Sequence, residues 1–484
     1  MKKIWKKAAI AALVIAMMTG LLCALNSCKK SNSFVEFTVT EENRHLVGYT
    51  NENGKTLEIP ETFQDNGIKY RVTAIGENAF SGCYNLRGVV IPEGVTDIGD
   101  GAFYDCIELT QITIPQSVES IGAGAFGECI NLTSLVIPES VKSIGMDAFA
   151  NCFGLTETEN GLSYVGKWVV KYEGEATSID LREDTVGICG GAFYDCDKIT
   201  GVTFSQNLKS IGEYAFNGCS SLKRADLPET VCYIGDYAFC GCTTLPGLKL
   251  SNSLEYIGNG AFLSCKAFTE IKIPGSVTRI GDFTFTQCTN LTSVKIPYSV
   301  TAIGDGAFGG CEKLSSIELP EGLTEIGPMA FMSCTKLTEI VIPEGVTEID
   351  DLTFSNCKSL VDVKLSKNVE RIGESAFESC TALKSIVLPD SVKKIDGLAF
   401  SDCSGLANIT ISGRTVRIGE GAFQDCSNLK TVYYGGSPNS WENIYIERYN
   451  RVLERVTFYY YCEKKPTGNI NQYWHYVDGV PTPW

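Results

Sequence analysis

The chain has 484 residues and a formal net charge of −16, from 41 Lys and Arg against 57 Asp and Glu. So acidic a chain argues against nucleic acid and anionic lipid headgroups as main partners, because both are themselves negative. A compact fold of this length would divide into several domains, whereas a repeat architecture would not, because each repeat packs only on its neighbours.

Residues 1–27 are predicted to be a secretory signal peptide. Four lysines precede an apolar run from residue 8 to about residue 25, an order that is typical of export signals. The run is too short and wrongly flanked for a retained membrane span. It ends in Leu25-Asn26-Ser27-Cys28, which resembles a bacterial lipobox. We therefore expect cleavage before Cys28, acylation of its thiol, and a lipid anchor at the outer membrane of a bacterial envelope.

From residue 68 to residue 434 the sequence repeats with a period that cysteine marks. Fifteen cysteines keep the period, and each closes the phrase Ile-Gly-x-x-Ala-Phe-x-x-Cys or a near variant, as at residues 98–106. Every step is 23 residues except the step from Cys152 to Cys196, which is 44. A fixed period in this range is typical of solenoids.

One repeat, residues 291–311, illustrates the expected coil. Its opening Leu-x-x-Val-x-Ile is rich in β-branched residues and predicts a short strand, which a proline then ends. A second extended segment follows, and Gly304 is expected to permit the turn after it. Ala307 and Phe308 then fill the interior together with Cys311. No such coil is stable alone, so several coils must share one core.

The regular cysteines are expected to be buried free thiols. One Cys per coil at a fixed slot forms a row whose side chains all point inward, and free Cys behaves as a small hydrophobe. Adjacent coils lie about 4.8 Å apart, so distance alone also permits disulfides between them. The sequence holds no Cys-x-x-Cys, and its only histidines are His45 and His475. We therefore predict no metal and no other cofactor.

The full phrase Leu-x-x-Ile-x-Ile-Pro-x-x-Val-x-x-Ile-Gly-x-x-Ala-Phe-x-x-Cys resembles the BspA-like class of leucine-rich repeat. The resemblance implies a predominantly β solenoid, a curved right-handed coil of about 15–16 repeats with strands along one face. It also implies a linker and cap at residues 28–67 and an aromatic cap module at residues 435–484. Members of the class are typically bacterial surface or envelope proteins, some of them adhesins for host matrix proteins or other bacteria.

The irregular repeat, residues 153–188, predicts a hairpin with Gly166-Lys167 at its turn. Two coils then occur in this stretch, and the first has lost its ladder cysteine. The hairpin carries three large aromatic residues: Tyr164, Trp168 and Tyr172. They either cover the core where the regular side chains are missing or contact a ligand, since aromatic residues dominate interface energies.

A basic ladder is predicted on the outward side of the first strands. It consists of three lysines in successive coils: Lys249, Lys272 and Lys295. At the spacing of strands in a sheet it is about 10 Å long. It is either a docking stripe for an acidic peptide or acidic glycan, or a solvated face, which is what most charge runs are.

The sequence contains no catalytic motif. Two matches to Gly-x-Gly-x-x-Gly, at residues 122–127 and 304–309, fall inside the repeat phrase and lack a surrounding βαβ unit. A nucleophile elbow, a His-Glu-x-x-His motif and a P-loop are likewise missing from the sequence. We therefore predict that the chain is not an enzyme, with a hydrolase in the C-terminal module as a remote alternative.

Two functions compete. The first is a lipid-anchored binding protein or adhesin whose partner is a host matrix protein, a bacterial surface protein or an acidic glycan. The second is a non-adhesive structural scaffold of the periplasm or envelope. Lys29 and Lys30 directly follow Cys28, whereas acidic residues at this place favour surface export in some bacterial lineages. This departure favours the scaffold.

Overall fold

The computed structural model describes residues 37–39, 44–46, 56–65, 68–467 and 472–484. The predicted signal peptide and Cys28 lie outside the described residues. The fold is a β-solenoid of about 17 turns, as the sequence predicts. The chain divides into two compact units: Met1–Glu175, Asp184–Phe193 and Asn207–Ala215 form the first, and Ala176–Glu183, Tyr194–Gln206 and Phe216–Trp484 form the second.

Each regular coil contributes two short strands and one run of turns. In the coil that ends at Cys311, the first strand is Ser293–Lys295 and the second is Ala302–Ile303. Pro297 lies between them, and its carbonyl accepts a hydrogen bond from the N–H of Val300 at 3.2 Å. The predicted strands and the predicted proline stop are thus confirmed for this coil.

In the first unit the strands form parallel ladders with antiparallel hairpins beside them. The first strands of the coils are Thr56–Glu58, Gly88–Val90 and Gln111–Thr113. The second strands are Ala74–Ile75, Asp97–Ile98, Ser120–Ile121, Ser143–Ile144, Gly187–Ile188 and Ser210–Ile211. The hairpin strands are Phe37–Val39, Arg44–Leu46, Thr62–Asp65, Ile68–Arg71, Glu157–Glu159, Leu162–Val165 and Trp168–Tyr172.

The second unit repeats the same two ladders and ends in a hairpin. Its first strands are Ser178–Asp180, Gly201–Thr203, Arg224–Ala225, Glu270–Lys272, Ser293–Lys295, Glu339–Val341, Asp362–Lys364, Ser385–Val387, Asn408–Ile411, Thr431–Tyr434 and Thr457–Tyr461, followed by the hairpin Tyr473–Val477 and Val480–Pro483. Its second strands are Tyr233–Ile234, Tyr256–Ile257, Arg279–Ile280, Ala302–Ile303, Glu325–Ile326, Glu348–Ile349, Arg371–Ile372, Lys394–Ile395, Arg417–Ile418 and Tyr445–Ile446. A short α-helix, Pro438–Trp441, and a 3₁₀-helix, Arg451–Glu454, lie near its end.

In the run of turns that carries Ala-Phe-x-x-Cys, the N–H groups donate alternately to a carbonyl of the same coil and to a carbonyl of the next coil. The N–H of Ala307 donates to Gly304 in the same coil at 3.3 Å, whereas the N–H of Phe308 donates to Ala330 in the next coil at 2.8 Å. The alternation requires residues with positive φ. Glycine often supplies them, but Phe283 (φ 55°) and Met329 (φ 58°) occupy the same slot in other coils. This side of each coil is therefore bonded to the next coil without being a strand.

Gly304 is needed for a different reason from the one the sequence suggests. Its φ is not positive. A Cβ at Gly304 would instead lie 2.7 Å from the main-chain nitrogen of Asp282 in the preceding coil, which is closer than packing allows. The residue two places later, Gly306 (φ 56°), carries the positive φ. Gly304 thus permits the close approach of two coils, and the interpretation of it as the turn residue is wrong.

The interior consists of stacked rings and a row of thiols. The ring of Phe308 stacks on those of Phe285 and Phe331, with centroids 5.5 Å apart on either side. Cys311 is fully buried, and its Sγ donates to the carbonyl of Phe285 at 3.3 Å. The cysteines of the described residues are free thiols. The inward slots that the sequence predicts are confirmed for Phe and for thirteen of the fifteen ladder cysteines, whereas Cys83 and Cys196 are only partly buried.

Candidate binding surface

The structure brings the three predicted lysines together along one shallow groove of the second unit, with a volume of about 520 Å³. Lys272 and Lys295 are register partners on neighbouring parallel strands. Lys249 lies one coil earlier, where Pro246 and Gly247 replace the usual residues and no strand forms. Proline cannot donate to a ladder, so this coil leaves the groove an irregular wall.

Lys249 is engaged by an acid of the preceding coil. Its Nζ forms an ion pair with the carboxylate of Glu229. That hydrogen bond from Lys249, together with one from the N–H of Asn252, holds the pKa of Glu229 below its usual range. The charge of Lys249 is therefore compensated. This pair is not evident from the sequence, because the two residues belong to different sides of neighbouring coils.

Lys272 and Lys295 are both exposed, and neither forms an ion pair with any described residue. Neighbouring strands lie about 4.8 Å apart, and like charges facing each other across strands are unfavourable. Glu270 lines the same groove but lies opposite Ser293 in the strand register. A carboxylate or sulfate brought by a partner would remove the repulsion between the two lysines.

The aromatic residues of the irregular repeat are inside the core of the first unit. The predicted hairpin forms from Leu162–Val165 and Trp168–Tyr172, and Gly166 takes a positive φ of 56° at its turn. Tyr164, Trp168 and Tyr172 are only 1%, 3% and 7% exposed. They cover the core where the regular side chains are missing, and a ligand at the surface does not reach their rings.

A second groove, of about 480 Å³, lies beside the C-terminal aromatic residues. Asp390, Arg414, Tyr461 and Tyr476 line it, and the two tyrosines are 39% and 40% exposed. Trp474 closes its floor, since its ring is buried and its Nε1 donates to the carbonyl of Tyr434 at 2.9 Å. From the sequence, these aromatic side chains are expected to seal the last coil, and the cap they form is one of the possible binding surfaces. Their density in the last 30 residues was the available signal.

The buried thiols of the described residues are held in their protonated form. Burial raises the pKa of the ladder thiols, for example that of Cys334 to about 12, so they remain protonated and are poor nucleophiles. Among the residues that the structure covers, no group of three or more His, Cys, Asp or Glu could hold a metal ion. In the same residues, none of the helices is long and apolar enough to cross a membrane.

Comparison with known proteins supports the resemblance. Four overlapping stretches, residues 60–169, 163–288, 255–382 and 353–459, match the model of the BspA type leucine-rich repeat region. Among curated proteins, none matches the sequence significantly.

Several solved structures are similar to the chain. A leucine-rich repeat protein from Bacteroides ovatus is 29% identical over 87% of this chain and 99% of its own, with a TM-score of 0.44. A leucine-rich cell surface protein from Faecalibacterium prausnitzii is 24% identical over 86% of this chain and 98% of its own, with a TM-score of 0.32. The pneumococcal vaccine antigen PcpA is 16% identical over 87% of this chain and 96% of its own, with a TM-score of 0.37.

Proposed function

Because this chain belongs to the BspA-type leucine-rich repeat family, we propose that it is a non-catalytic protein-binding module of a bacterial cell envelope, anchored by a lipid on Cys28. The lysine groove of the second unit is its binding surface. Its partner is an acidic segment of a host matrix protein or of another bacterial surface protein, and an acidic glycan is the competing ligand.

The observation that carries this proposal is the pair Lys272 and Lys295. They are neighbouring positive charges without an acidic partner, in a chain whose net charge is −16. The other lysines at this outward position of the coils are compensated, Lys249 by Glu229 and Lys364 by Asp362 at 3.7 Å. An uncompensated pair in an otherwise acidic protein attracts an acidic partner over a distance of about one Debye length, roughly 8 Å at physiological salt.

The test is a binding measurement with the chain from residue 29 onward and two probes, a fluorescent octaglutamate peptide and heparin. The double variant Lys272→Glu/Lys295→Glu is expected to lose at least ten-fold in affinity for the peptide. Lys364→Glu is the matched control, because it reverses an outward lysine on a first strand that already has an acidic partner. Affinity should also fall as salt rises. Equal affinity of the double variant and the wild type would contradict the proposal, and preference for heparin would identify the glycan as the ligand.

The scaffold alternative rests on Lys29 and Lys30 after the predicted lipid site. It is tested separately, by treating intact cells with a protease that cannot cross the outer membrane. Degradation of the solenoid is expected for a surface-displayed binding module. Survival of the solenoid on intact cells, followed by its loss after the outer membrane is opened, would instead support a periplasmic scaffold.

A further inference from the structure

We propose that a cleft in the first unit, at the place where the 23-residue period fails, binds a peptide segment of a partner protein that supplies the main-chain carbonyls of the missing coil. The cleft has a volume of about 650 Å³, within the range of ligand pockets. One wall is the run of turns at residues 147–152, and the other includes Thr158, Ser163 and Val170 of the remodelled coil. The inference is independent of the lysine groove in the second unit.

The wall at residues 147–152 presents main-chain donors that lack acceptors. In the coil before it, three alternate N–H groups donate to this wall at 2.8 Å each: those of Gly124, Phe126 and Glu128 donate to the carbonyls of Met146, Ala148 and Ala150. The next N–H groups in the series, those of Asp147, Phe149 and Asn151, have no acceptor among the described residues. The regular coils of the solenoid interior give such groups to the carbonyls of the coil that follows, and here that coil does not supply the carbonyls.

The wall nevertheless keeps the conformation of a complete coil. Asp147 and Asn151 have φ of 55° and 58°, as Asp105 does (58°) at the slot of Asn151 two coils earlier. The hydrogen bonds within the coil are also intact, since the N–H of Ala150 donates to Asp147 at 2.9 Å. The three donors are therefore held ready for acceptors, so that binding does not have to order them.

The cleft stays open because the hydrogen bond and ring contact of the remodelled coil at Tyr172 go to the coil that follows it. The N–H of Tyr172 donates to Ala192 at 2.9 Å, and its ring packs on Phe193 with centroids 5.6 Å apart. At the other end of the same wall the solenoid closes directly, where the N–H of Gly190 donates to Ile144 at 2.7 Å. The gap is thus wedge-shaped, closed beside Ile144 and open beside Phe149.

A peptide that presents carbonyls on alternate residues supplies the acceptors that the wall lacks. In a regular coil such carbonyls span five residues, as those of Asn259, Ala261 and Leu263 do. Addition of a main-chain segment to an open edge is a common mode of peptide recognition. Phe153, 72% exposed, and Tyr104, 42% exposed, also line the cleft and offer aromatic contacts to the side chains of the peptide.

The charges of the cleft select a neutral or basic peptide over an anion. A row of N–H groups can bind an anion, but three carboxylates line this cleft, those of Glu128, Asp147 and Glu173. Lys171 is a basic residue of the lining, and it is already paired with Glu173 at 2.8 Å. Neutral carbonyl oxygens satisfy the donors without adding negative charge, and a basic flank would be attracted to the rim.

The chain itself supplies a suitable probe, an amidated peptide with the sequence of residues 257–265 that carries Cys265→Ser. At its own place in the second unit this segment accepts three such bonds at 2.8 Å: the N–H groups of Tyr237, Phe239 and Gly241 donate to Asn259, Ala261 and Leu263. The peptide has no charged side chain. Its binding to the chain from residue 29 onward is measured by fluorescence anisotropy, against a scrambled peptide.

The variant Ala150→Tyr fills the cleft, and the fold tolerates Tyr at this slot because Tyr104 occupies it two coils earlier. We expect at least ten-fold weaker binding of the peptide to this variant. Glu378→Tyr, at the same slot of a regular coil, is the matched control and should bind like the wild type.

Amide hydrogen exchange of the wild type gives a second readout that needs no variant. Bound peptide should slow exchange at Asp147, Phe149 and Asn151. The proposal is overturned if the wild type does not bind the peptide, if Ala150→Tyr binds like Glu378→Tyr, or if these amides do not gain protection. Displacement of the peptide by inorganic phosphate would identify an anion site instead. Protection already present in the free chain would mean that another segment of the chain fills the cleft, and would overturn it as well.

Discussion

The regular coil that ends at Cys311 and the remodelled coil at residues 162–172 both fill the interior of the solenoid, but they do so with different side chains and different bonds to their neighbours. In the regular coil Phe308 stacks on a ring at each side, and Cys311 adds a thiol hydrogen bond to the coil before. The remodelled coil has Tyr172 at the ring slot, where its ring packs on that of Phe193, and residues 162–172 include no cysteine. It closes the core but does not bond the coil behind it along its whole length. Burial of the interior is therefore easier to replace than the bonds between coils.

Alkaline pH is expected to give the largest difference in stability between the two kinds of coil, because the regular coils bury thiols and the remodelled coil does not. Burial raises the pKa of Cys288 and Cys334 to about 12, against about 8.5 for an exposed thiol. Below that lower value both states hold the proton, and between it and pH 12 only the unfolded state releases it. The free energy of unfolding should therefore fall, by about 1.4 kcal/mol per pH unit for each such thiol.

Urea unfolding between pH 8 and pH 10.5 measures this loss. The variant Cys288→Ala/Cys334→Ala should show a shallower fall with pH than the wild type. A variant at the remodelled coil, Tyr172→Phe, should keep the full slope. If the double cysteine variant and the wild type fell in parallel, the buried thiols would not be the cause.

Loss of a stacked ring is the next largest effect. Phe308→Ala removes a fully buried ring between two others and is expected to cost about 3–5 kcal/mol. Tyr172→Ala should cost less, because its side chain is 7% exposed whereas that of Phe308 is fully buried. Urea midpoints of the two variants, with Phe308→Leu as a milder control, measure the difference. A greater loss in Tyr172→Ala would show that the remodelled coil is as tightly packed as the regular ones.

The glycine after the second strand gives the smallest difference. Gly304→Ala places a Cβ against the backbone of Asp282 and is expected to cost about 1–3 kcal/mol. Cys189 follows Ile188 as Gly304 follows Ile303, so the remodelled region already accommodates a side chain there. Cys189→Ala should cost no more than about 1 kcal/mol. Thermal unfolding of both variants measures this, and a harmless Gly304→Ala would mean that the coils can move apart.

The sequence predicted the period, the two strands and the inward slots, because β-branched residues, proline and a repeated apolar pattern determine them locally. It did not predict the run of turns that carries Ala-Phe-x-x-Cys, since Phe283 and Met329 are residues that ordinarily avoid positive φ. Nor did it place Tyr172 at the ring slot. In a regular coil the end of the second strand and the ring residue are five residues apart, as Ile303 and Phe308 are, whereas Val169 and Tyr172 are three apart. The spacing therefore does not show that Tyr172 takes the place of the phenylalanine.

The candidate surfaces were predictable to a lesser degree. The alternation of a strand gives the outward direction of Lys272 and Lys295, so the groove could be foreseen. The compensation of Lys249 by Glu229 could not, because it depends on how two sides of neighbouring coils meet. The main-chain N–H groups of Asp147, Phe149 and Asn151 could not be identified as open donors either, because the identity of a residue does not show whether its main-chain N–H has an acceptor.

The alternating N–H bonds of the regular coils also bear on how such a chain can change its length during evolution. Each bond between coils joins residues about one period apart: the N–H of Phe308 donates to Ala330, 22 positions later, and the N–H of Gly304 donates to Ile280, 24 positions earlier. Recombination that removes residues 281–303 would join Ile280 to Gly304 and recreate the Ile-Gly phrase at the junction. Whole coils can thus be gained or lost while every remaining coil keeps equivalent neighbours, whereas any other length of insertion must be absorbed in a remodelled coil such as the one before Phe193.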